Sequence, residues 1–450
     1  MVDIIKDLQK FDYIFYGFLC VLFINALQEW YFDKYIFPFY TYLTLFLVVG
    51  FFTTFGFYFY LVSFFFSAMF RDQDVAFLSI NFTTAYLIVS LVILVVLISK
   101  KATHKLNINN RLMFVWSLFL LTNIFTHSIP IKRNWVVICM FESILIYFIM
   151  VYFINNRERL KKSVWFIMLI LSFFGIRMFR DFIFGGSVYQ KGLFGWENNY
   201  FAMILLSGVA LAYFLFISSR KKTHKLLSLF SFVALIAGVV MGGSRGAFLG
   251  LFVVGIYILF KSVSSKTFKY LMLLSVVFLI VNSLLPQDVR ERYLTLENVT
   301  TSFQEKGEDV DEGSMRERIQ LFWAGLDMFK DNFLIGVGIT NFRTEIPKYI
   351  DVPAGKASHS MYVQMLAELG IFGGLIFFGI LFSSFYNAYT ASIIFKKKRE
   401  KEYYYISLAA LGGLVGFCSA AFFLNPQGMS IFWMFIGLAT VCKTVALGND

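Results

Sequence analysis

Long apolar segments alternate with short polar connections along the chain, and the apolar segments have the length of membrane spans. Tyr86 to Ser99 (YLIVSLVILVVLIS) and Trp135 to Ile154 (WVVICMFESILIYFIMVYFI) are two examples. About 20 apolar residues cross a hydrocarbon core of roughly 30 Å. Their backbone must be helical because lipid offers no hydrogen-bond partner. The pattern predicts an all-α, polytopic membrane bundle of about 12–14 transmembrane helices.

The composition excludes a soluble domain. Of the 450 residues, 58% are hydrophobic and only 15% are charged, and the mean hydropathy is +0.70. The net charge of +12 does not indicate a nucleic-acid-binding protein, because the basic residues stand in short clusters between apolar segments. Such clusters are typical of the cytoplasmic loops of membrane proteins.

Five basic clusters orient the predicted helices. They lie around Lys100, Arg157, Arg220, Lys261 and Lys397. Cytoplasmic loops carry the excess of Lys and Arg, and the apolar residues between consecutive clusters suffice for two crossings. The connections that then face outward are the turn near residue 131, the loop 185–198, the turn 242–246, the segment 285–360 and the turn 425–427. Before residue 75 the count is open, because Ile36 to Phe70 fits either one long tilted helix or two short ones that break near Gly56.

This topology divides the chain into three parts. Residues 1–284 are N-terminal transmembrane helices, 285–360 form an extracytoplasmic loop with amphipathic helices, and 361–450 are C-terminal transmembrane helices. Within the loop, apolar side chains recur at helical spacing, namely Ile319, Phe322, Trp323, Leu326 and Phe329. The spacing predicts a helix that lies on the membrane surface or caps a cavity.

Metal or nucleotide chemistry finds no support in the sequence. The four cysteines, Cys20, Cys139, Cys418 and Cys442, lie in apolar segments without paired short spacing, and we interpret them as core residues. We find neither the ligand spacing of a metal site nor a phosphate-binding glycine loop. The prediction is therefore a protein without a cofactor.

The outward turn GGSRGAFLGL surrounds Ser244 and Arg245 with glycines. Glycines let the backbone approach a ligand closely, and an arginine among exposed N–H groups is suited to hold a phosphate. The alternative is a tight turn whose single arginine reaches the membrane interface.

Two further motifs fall on the same side. SMRERIQLFW carries Arg316 and Arg318 before the amphipathic segment, as an anion site or as a solvated helix face. In ASHSMYVQML, His359 and Ser360 stand where the outer loop enters the next span. His359 is either a general base or an interfacial cap. Arginines and a histidine on one side suggest a site for a lipid diphosphate.

Weaker candidates lie toward the same face. Arg177 and Arg180 occupy the outer half of one span, where an ionisable residue indicates a functional site by default, although Arg180 also suits a local pair with Asp181. KGLFGWENNYFA places Lys191 and Asn199 at the outer start of another span.

Together these motifs resemble the O-antigen ligase and polymerase superfamily of multi-span bacterial glycosyltransferases. The resemblance rests on GGSRGAFLGL, on the run from SMRERIQLFWAGLDMF through DNFLIGVGITNF, and on HSMYVQMLAELGIFGG. The last fits the family's pattern of His, Asn or Ser, nine residues, Gly, two residues, Gly. KGLFGWENNYFA is similar to a further family segment, with Asn199 in the Asn position and Lys191 where many members have Arg.

The resemblance implies a GT-C-like bundle and an inverting, metal-independent glycosyl transfer. By similarity, Arg245 and Arg318 hold the diphosphate of a polyprenyl-linked donor, with Arg316 as the substitute for Arg318, and His359 takes the proton of the acceptor hydroxyl. The implied partners are an undecaprenyl-diphosphate-linked oligosaccharide, membrane lipids, a chain-length regulator and a flippase, without nucleic acid. The implied location is the bacterial inner membrane, with the site facing outward.

Polymerisation of lipid-linked repeat units is the function we expect. The alternative is a ligase that moves the finished glycan to lipid A core or to protein, which uses the same donor. A transporter or flippase is the rival from another class, since Arg177 and Arg180 lie within a span. Against transport stands the concentration of motifs on one side, because alternating access needs groups near the midplane.

Overall fold

A computed structural model describes residues 74–75, 80–81, 107–127, 134–184, 198–262 and 313–448. Two antiparallel two-residue strands, β1 (Asp74–Val75) and β2 (Ile80–Asn81), pair with Asp74 opposite Asn81. The helices are α1 (Ile108–Thr126), α2 (Asn134–Phe153), α3 (Arg157–Phe184), α4 (Asn198–Ser218), α5 (Lys222–Met241), α6 (Arg245–Lys261), α7 (Gly313–Asp331), α8 (Phe342–Glu345), α9 (Met361–Lys397), α10 (Lys401–Ala420) and α11 (Ser430–Leu447), with 3₁₀ helices at Ile346–Lys348 and Pro426–Gly428.

The predicted class is confirmed: this is an all-α, polytopic membrane protein. Among the described residues, six helices are long and apolar enough to cross a membrane, namely α3, α4, α5, α9, α10 and α11. The paired strands are too short to alter the class. The total of 12–14 spans and the division at residues 284 and 360 stay predictions, because residues 1–73, 82–106, which include the predicted span Tyr86 to Ser99, and 263–312 lie outside the described residues.

Helix α4 forms the centre of one half of the bundle. Every residue from Phe201 to Leu215 is buried, and the helix packs against α10, α5, α6 and α3. A helix that is apolar on all faces must be surrounded by other helices.

Helices α1, α2, α9 and α11 form the other half, which is linked by buried polar groups. The Asn109 amide donates to Ser384 Oγ at 2.9 Å and to Thr440 Oγ1 at 2.8 Å. The Tyr147 hydroxyl donates to Asn110 Oδ1 at 2.7 Å. Hydrogen bonds of this kind align helices where hydrophobic association is weak.

Two of the basic clusters meet at one end of the bundle. Arg157 at the start of α3 makes a bidentate ion pair with Glu400, at 2.7 and 3.0 Å, and Lys161 pairs with Glu402 at 2.7 Å. The loop charges predict that these segments share a side. The side of the membrane on which they lie stays a prediction.

The predicted amphipathic helix is present as α7, but a different face packs against the protein. Leu321, Ala324 and Met328 are buried in a small core with Phe342, whereas Trp323 is 53% exposed. The reason is the small pair Ala324-Gly325: a Cβ on Gly325 would lie 2.5 Å from Val363 Cγ1, so only this face allows the close approach to α9.

Candidate functional site

His359 lies in the short loop between the 3₁₀ helix Ile346–Lys348 and helix α9. Its φ is +52°, in the left-handed region that residues other than glycine rarely adopt. Such a conformation persists only where the surroundings hold it. Ser360, the next residue, is the N-cap of α9.

Hydrogen bonds on both sides fix this backbone. Ser358 Oγ donates to the Ser360 carbonyl at 2.8 Å and accepts from the Ser360 N–H at 3.2 Å. The Met361 N–H donates to the carbonyls of Ala421 and Leu424, each at 3.0 Å. The loop of His359 is therefore tied to the connection between α10 and α11.

Charged side chains from three elements act on His359. Burial, followed by the positive charge of Arg318, lowers the pKa of His359 from 6.5 to about 4, and Arg343 and Lys356 add to this effect. Glu317 acts in the opposite direction, but it also pairs with Lys356 at 2.5 Å. The imidazole is therefore neutral at pH 7, and one of its two ring nitrogens can accept a proton.

Arg343 and Lys356 were missed by the sequence reasoning. Arg343 is the second residue of the short helix α8. Its carbonyl accepts the Gly355 N–H at 2.7 Å, and this hydrogen bond joins α8 to the loop that carries His359. Lys356 stands three residues before His359 in the sequence, whereas Arg343 is brought near His359 only by the fold. Of the two arginines predicted before α7, Arg318 acts on His359 and is partly buried, whereas Arg316 is exposed.

The start of α6, which carries Arg245, lies beside the same connection. Arg245 is the first residue of α6, and Ser244 caps this helix by accepting the Ala247 N–H at 3.3 Å. A Cβ on Gly246 would lie 2.8 Å from Phe423 Cβ. Phe423 lies between Ala421 and Leu424, whose carbonyls hold Met361, so Arg245 and His359 border one short segment.

Two helix N-termini therefore meet near this segment, those of α6 and α9. The N-terminal end of a helix carries a partial positive charge and unsatisfied N–H groups, both of which favour an anion. At the start of α9, Ser360 Oγ is buried and has no hydrogen-bond partner within the described part of the chain. The arrangement suits a negatively charged group beside His359.

The weaker candidates lie around the turn before Arg245. A Cβ on Gly242 would lie 2.8 Å from Ala202 Cβ and 3.3 Å from Met178 Cε. Arg177 and Arg180 flank Met178, and Asn199 is in the first turn of α4, so these three belong to the same end of the bundle. Lys191 lies outside the described residues.

An open groove of about 740 Å³ lies at the other end of α7. Its lining includes His127, Lys330, Asn332 and Asn341. Lys330 is twelve residues along the helix from Arg318, which corresponds to about 18 Å. None of the predicted site residues lines this groove.

Comparison with known proteins supports the motif assignment. Residues 230–378 match the family model of the O-antigen ligases, about a third of the chain, and this region contains Arg245, Arg318 and His359. Arg177, Arg180 and Asn199 lie before it. No curated protein matches the chain. Through residues 230–378 the chain is similar to the O-antigen ligases, and this confirms the resemblance to the O-antigen ligase and polymerase superfamily that its motifs indicate.

Proposed function

We propose that this protein is a polysaccharide polymerase that transfers a glycan from a polyprenyl-diphosphate donor to a hydroxyl of a second lipid-linked repeat unit. The family match and the apolar helices support a membrane-bound transferase of O-antigen and polysaccharide biosynthesis, acting on lipid-linked oligosaccharides. The choice of polymerase, donor and mechanism is our proposal.

One observation carries it: the positive charges of Arg318, Arg343 and Lys356 act on a neutral histidine, His359, and together with burial they outweigh the opposite effect of Glu317. A diphosphate that leaves with a bonding electron pair gains negative charge in the transition state, and fixed cations stabilise that charge. A neutral imidazole beside them is suited to take a proton from an incoming hydroxyl. Glycosyl transfer requires both functions, namely stabilisation of the leaving diphosphate and removal of the acceptor proton.

The reaction is then a single displacement. The acceptor hydroxyl oxygen attacks the anomeric carbon and forms the new glycosidic bond, while its proton passes to His359. The bond between the anomeric carbon and the diphosphate oxygen breaks, and the polyprenyl diphosphate leaves with the electron pair. Attack opposite the leaving group inverts the anomeric configuration, and no metal takes part.

Arg318 and Arg245 bind the diphosphate from two sides in this proposal, Arg318 on α7 and Arg245 at the N-terminus of α6. Ser244 caps α6 and so aligns its remaining N–H groups toward the same region. Arg177, Arg180 and Asn199 extend the site toward the donor glycan or lipid.

Donor binding also makes His359 a better base. The pKa of about 4 applies to the site without substrate, where Arg318 and its neighbours disfavour protonation. Two phosphates bound to these cations offset their charge, and the pKa of His359 rises toward its ordinary value. The base is strengthened only when the leaving group is in position.

A ligase is the second candidate, favoured by the description of the matched family as O-antigen ligase. A ligase uses the same donor and the same three side chains, and it differs in accepting lipid A core or a protein. In both cases we propose that the site faces outward from the bacterial inner membrane, with a flippase that supplies the donor and a chain-length regulator that limits the product.

The test is reconstitution of the purified protein with an undecaprenyl-diphosphate-linked repeat unit as sole substrate, with glycan length resolved by gel. We expect a ladder from the wild type and none from His359→Ala. His127→Ala is the matched control, since His127 Nδ1 bonds at the end of its own helix, 3.0 Å from Thr126 Oγ1 and 3.3 Å from the Asn123 carbonyl oxygen, and it should give the wild-type ladder.

Other outcomes separate the alternatives. If no ladder forms but a lipid A core acceptor yields one shifted product that needs His359, the protein is a ligase and the polymerase proposal is wrong. Movement of the lipid-linked donor across the vesicle membrane without any new glycosidic bond would assign the protein to transport instead.

A further inference from the structure

We propose that Asn425 is a positioning residue for His359: with Gln364, its side-chain amide fixes the Ser358–Ser360 backbone that carries the imidazole. The inference rests on the proposed role of His359 as the base. Asn425 lies in the connection between α10 and the 3₁₀ helix Pro426–Gly428, far from His359 in the sequence.

The contacts of Asn425 point at the loop of His359. Its Nδ2 group donates to Ser358 Oγ at 3.0 Å and also to Gln364 Oε1. Ser358 Oγ in turn binds both the N–H and the carbonyl of Ser360. One amide group therefore holds the residues on either side of His359.

A further hydrogen bond, from Gln364 to Glu368, shows which group donates at each step from Asn425 onward. Gln364 Nε2 donates to Glu368 Oε1 at 2.9 Å, and the Glu368 carboxyl also accepts the backbone N–H groups of Thr340 and Phe342. Gln364 therefore turns its NH₂ group toward Glu368 and its oxygen toward Asn425. Donors point from Asn425 to Gln364 to Glu368.

We call the hydrogen bonds from Asn425 through Gln364 to Glu368 the relay, and burial makes it rigid. Ser358 and Glu368 are 1% exposed and Gln364 is 6% exposed. A buried donor or acceptor that loses its partner costs on the order of 1–3 kcal/mol, so the relay resists alternative arrangements. That resistance is what His359 requires, because its positive φ relaxes if the flanking residues are released.

The consequence for the reaction is geometric. Without the hold on Ser358, the imidazole leaves the place where Arg318 and the acceptor hydroxyl meet. A misplacement of about 1 Å lowers a rate on the order of 100-fold. Substrate binding through Arg318 and Arg245 is retained, so kcat is affected and KM is not.

The first experiment compares Asn425→Ala with Asn332→Ala in the full-length protein. Asn332 is a matched control, since its amide also donates two hydrogen bonds, to the Met328 carbonyl at 3.0 Å and to the Tyr349 hydroxyl at 3.3 Å, but neither of them reaches residues 358–360. We expect kcat to fall at least about tenfold in Asn425→Ala, with KM for the donor changed by less than about threefold. Equal effects of the two variants would overturn the proposal.

A reversal of the relay tests its direction. Asn425→Asp keeps the shape but removes the donor, and Glu368→Gln places an NH₂ group where only an acceptor fits, so each alone should lower kcat. In the double variant, Gln364 can turn over, donate to the new carboxylate and accept from residue 368, and Ser358 Oγ can donate to that carboxylate instead of accepting from Asn425, with the net charge unchanged. Recovery of kcat by at least about tenfold over Asn425→Asp is expected from restored pairing. A double variant no better than the singles would contradict the relay.

A measurement without substrate separates this inference from the proposed function. Diethyl pyrocarbonate modifies neutral imidazoles, and peptide mapping distinguishes His359 from the other three histidines. In the wild type, the low pKa set by burial, Arg318, Arg343 and Lys356 against Glu317 keeps the rate at pH 5.5 close to that at pH 7. In Asn425→Ala, His359 approaches an ordinary pKa, so the rate at pH 5.5 should drop up to roughly eightfold.

The two failures are then distinguishable. An inactive wild type whose His359 modification responds to Asn425→Ala rejects the proposed glycosyl transfer and retains the positioning role. An active wild type whose His359 modification shows the same pH dependence in Asn425→Ala and Asn332→Ala rejects the positioning role alone.

Discussion

Gly370 in α9 and Leu334 after α7 touch backbone to backbone. A Cβ on Gly370 would lie 2.5 Å from the Leu334 carbonyl oxygen, and Gly370 has φ +63° and ψ −165°, a combination reserved for glycine. The Ile371 N–H donates to the Phe333 carbonyl at 2.7 Å. Helix α9 bends here, and the bend lets the segment after α7 pack against residues 367–372 of α9.

Gly370→Ala should therefore destabilise the protein by more than about 2 kcal/mol, because both the backbone conformation and the contact with Leu334 exclude a methyl group. The measurement is thermal unfolding of the purified protein in detergent. Gly379→Ala is the control, since its nearest neighbour atom is Leu112 Cδ1 at an ordinary 3.7 Å. A similar melting temperature for the two variants would contradict the strained contact.

Arg318 and Arg316 should differ in effect although they are two residues apart. Arg318→Gln removes a positive charge that acts on His359, and we expect kcat/KM to fall on the order of 100-fold through loss of leaving-group stabilisation. Arg316→Gln, at an exposed position, should change kcat/KM by less than about threefold. The reverse order would mean that Arg316 binds the diphosphate.

The pH dependence of kcat/KM should lack a step at pH 6.5. His359 must be neutral to accept a proton, and its pKa in the free protein is lowered to about 4 by burial and by Arg318. The rate with dilute donor is then flat from about pH 7.5 to 5.5 and falls only as the pH approaches 4, since kcat/KM reports the free enzyme. In Arg343→Gln the acid limb should move upward, because one of the charges that lower the pKa is gone. A wild-type limb near pH 6.5 would show that His359 is solvated and unperturbed.

Cysteine labelling in intact cells tests on which side of the membrane the loop of His359 lies. In a variant that lacks the four native cysteines, Ala354→Cys in the loop of His359 should react with a membrane-impermeant maleimide. Lys397→Cys, at the other end of α9, should react only after permeabilisation, because the basic clusters are retained in the cytoplasm. Both positions are exposed. Exchange of the two results would place the site in the cytoplasm and exclude an outward donor.

The face of α7 illustrates where reasoning from the sequence stops. Helical spacing located the helix, since periodicity is a local property of the chain. It did not select the buried face, because Phe322 and Trp323 are more apolar than Ala324 and Gly325. Close packing against Val363 requires small side chains, and that requirement exists only once α9 is in place.

The sequence by itself determined the membrane class, the shared end of the basic clusters at Arg157 and Lys397, and the motifs around Arg245, Arg318 and His359. Apolar length, loop charge and motif spacing are properties of contiguous residues, so they can be read without a fold. Only the tertiary structure decided that Arg343 acts on His359 and that Asn425 holds Ser358. These contacts join segments far apart in the chain, and they arise because α7, α9 and the α10–α11 connection pack at one end of the bundle.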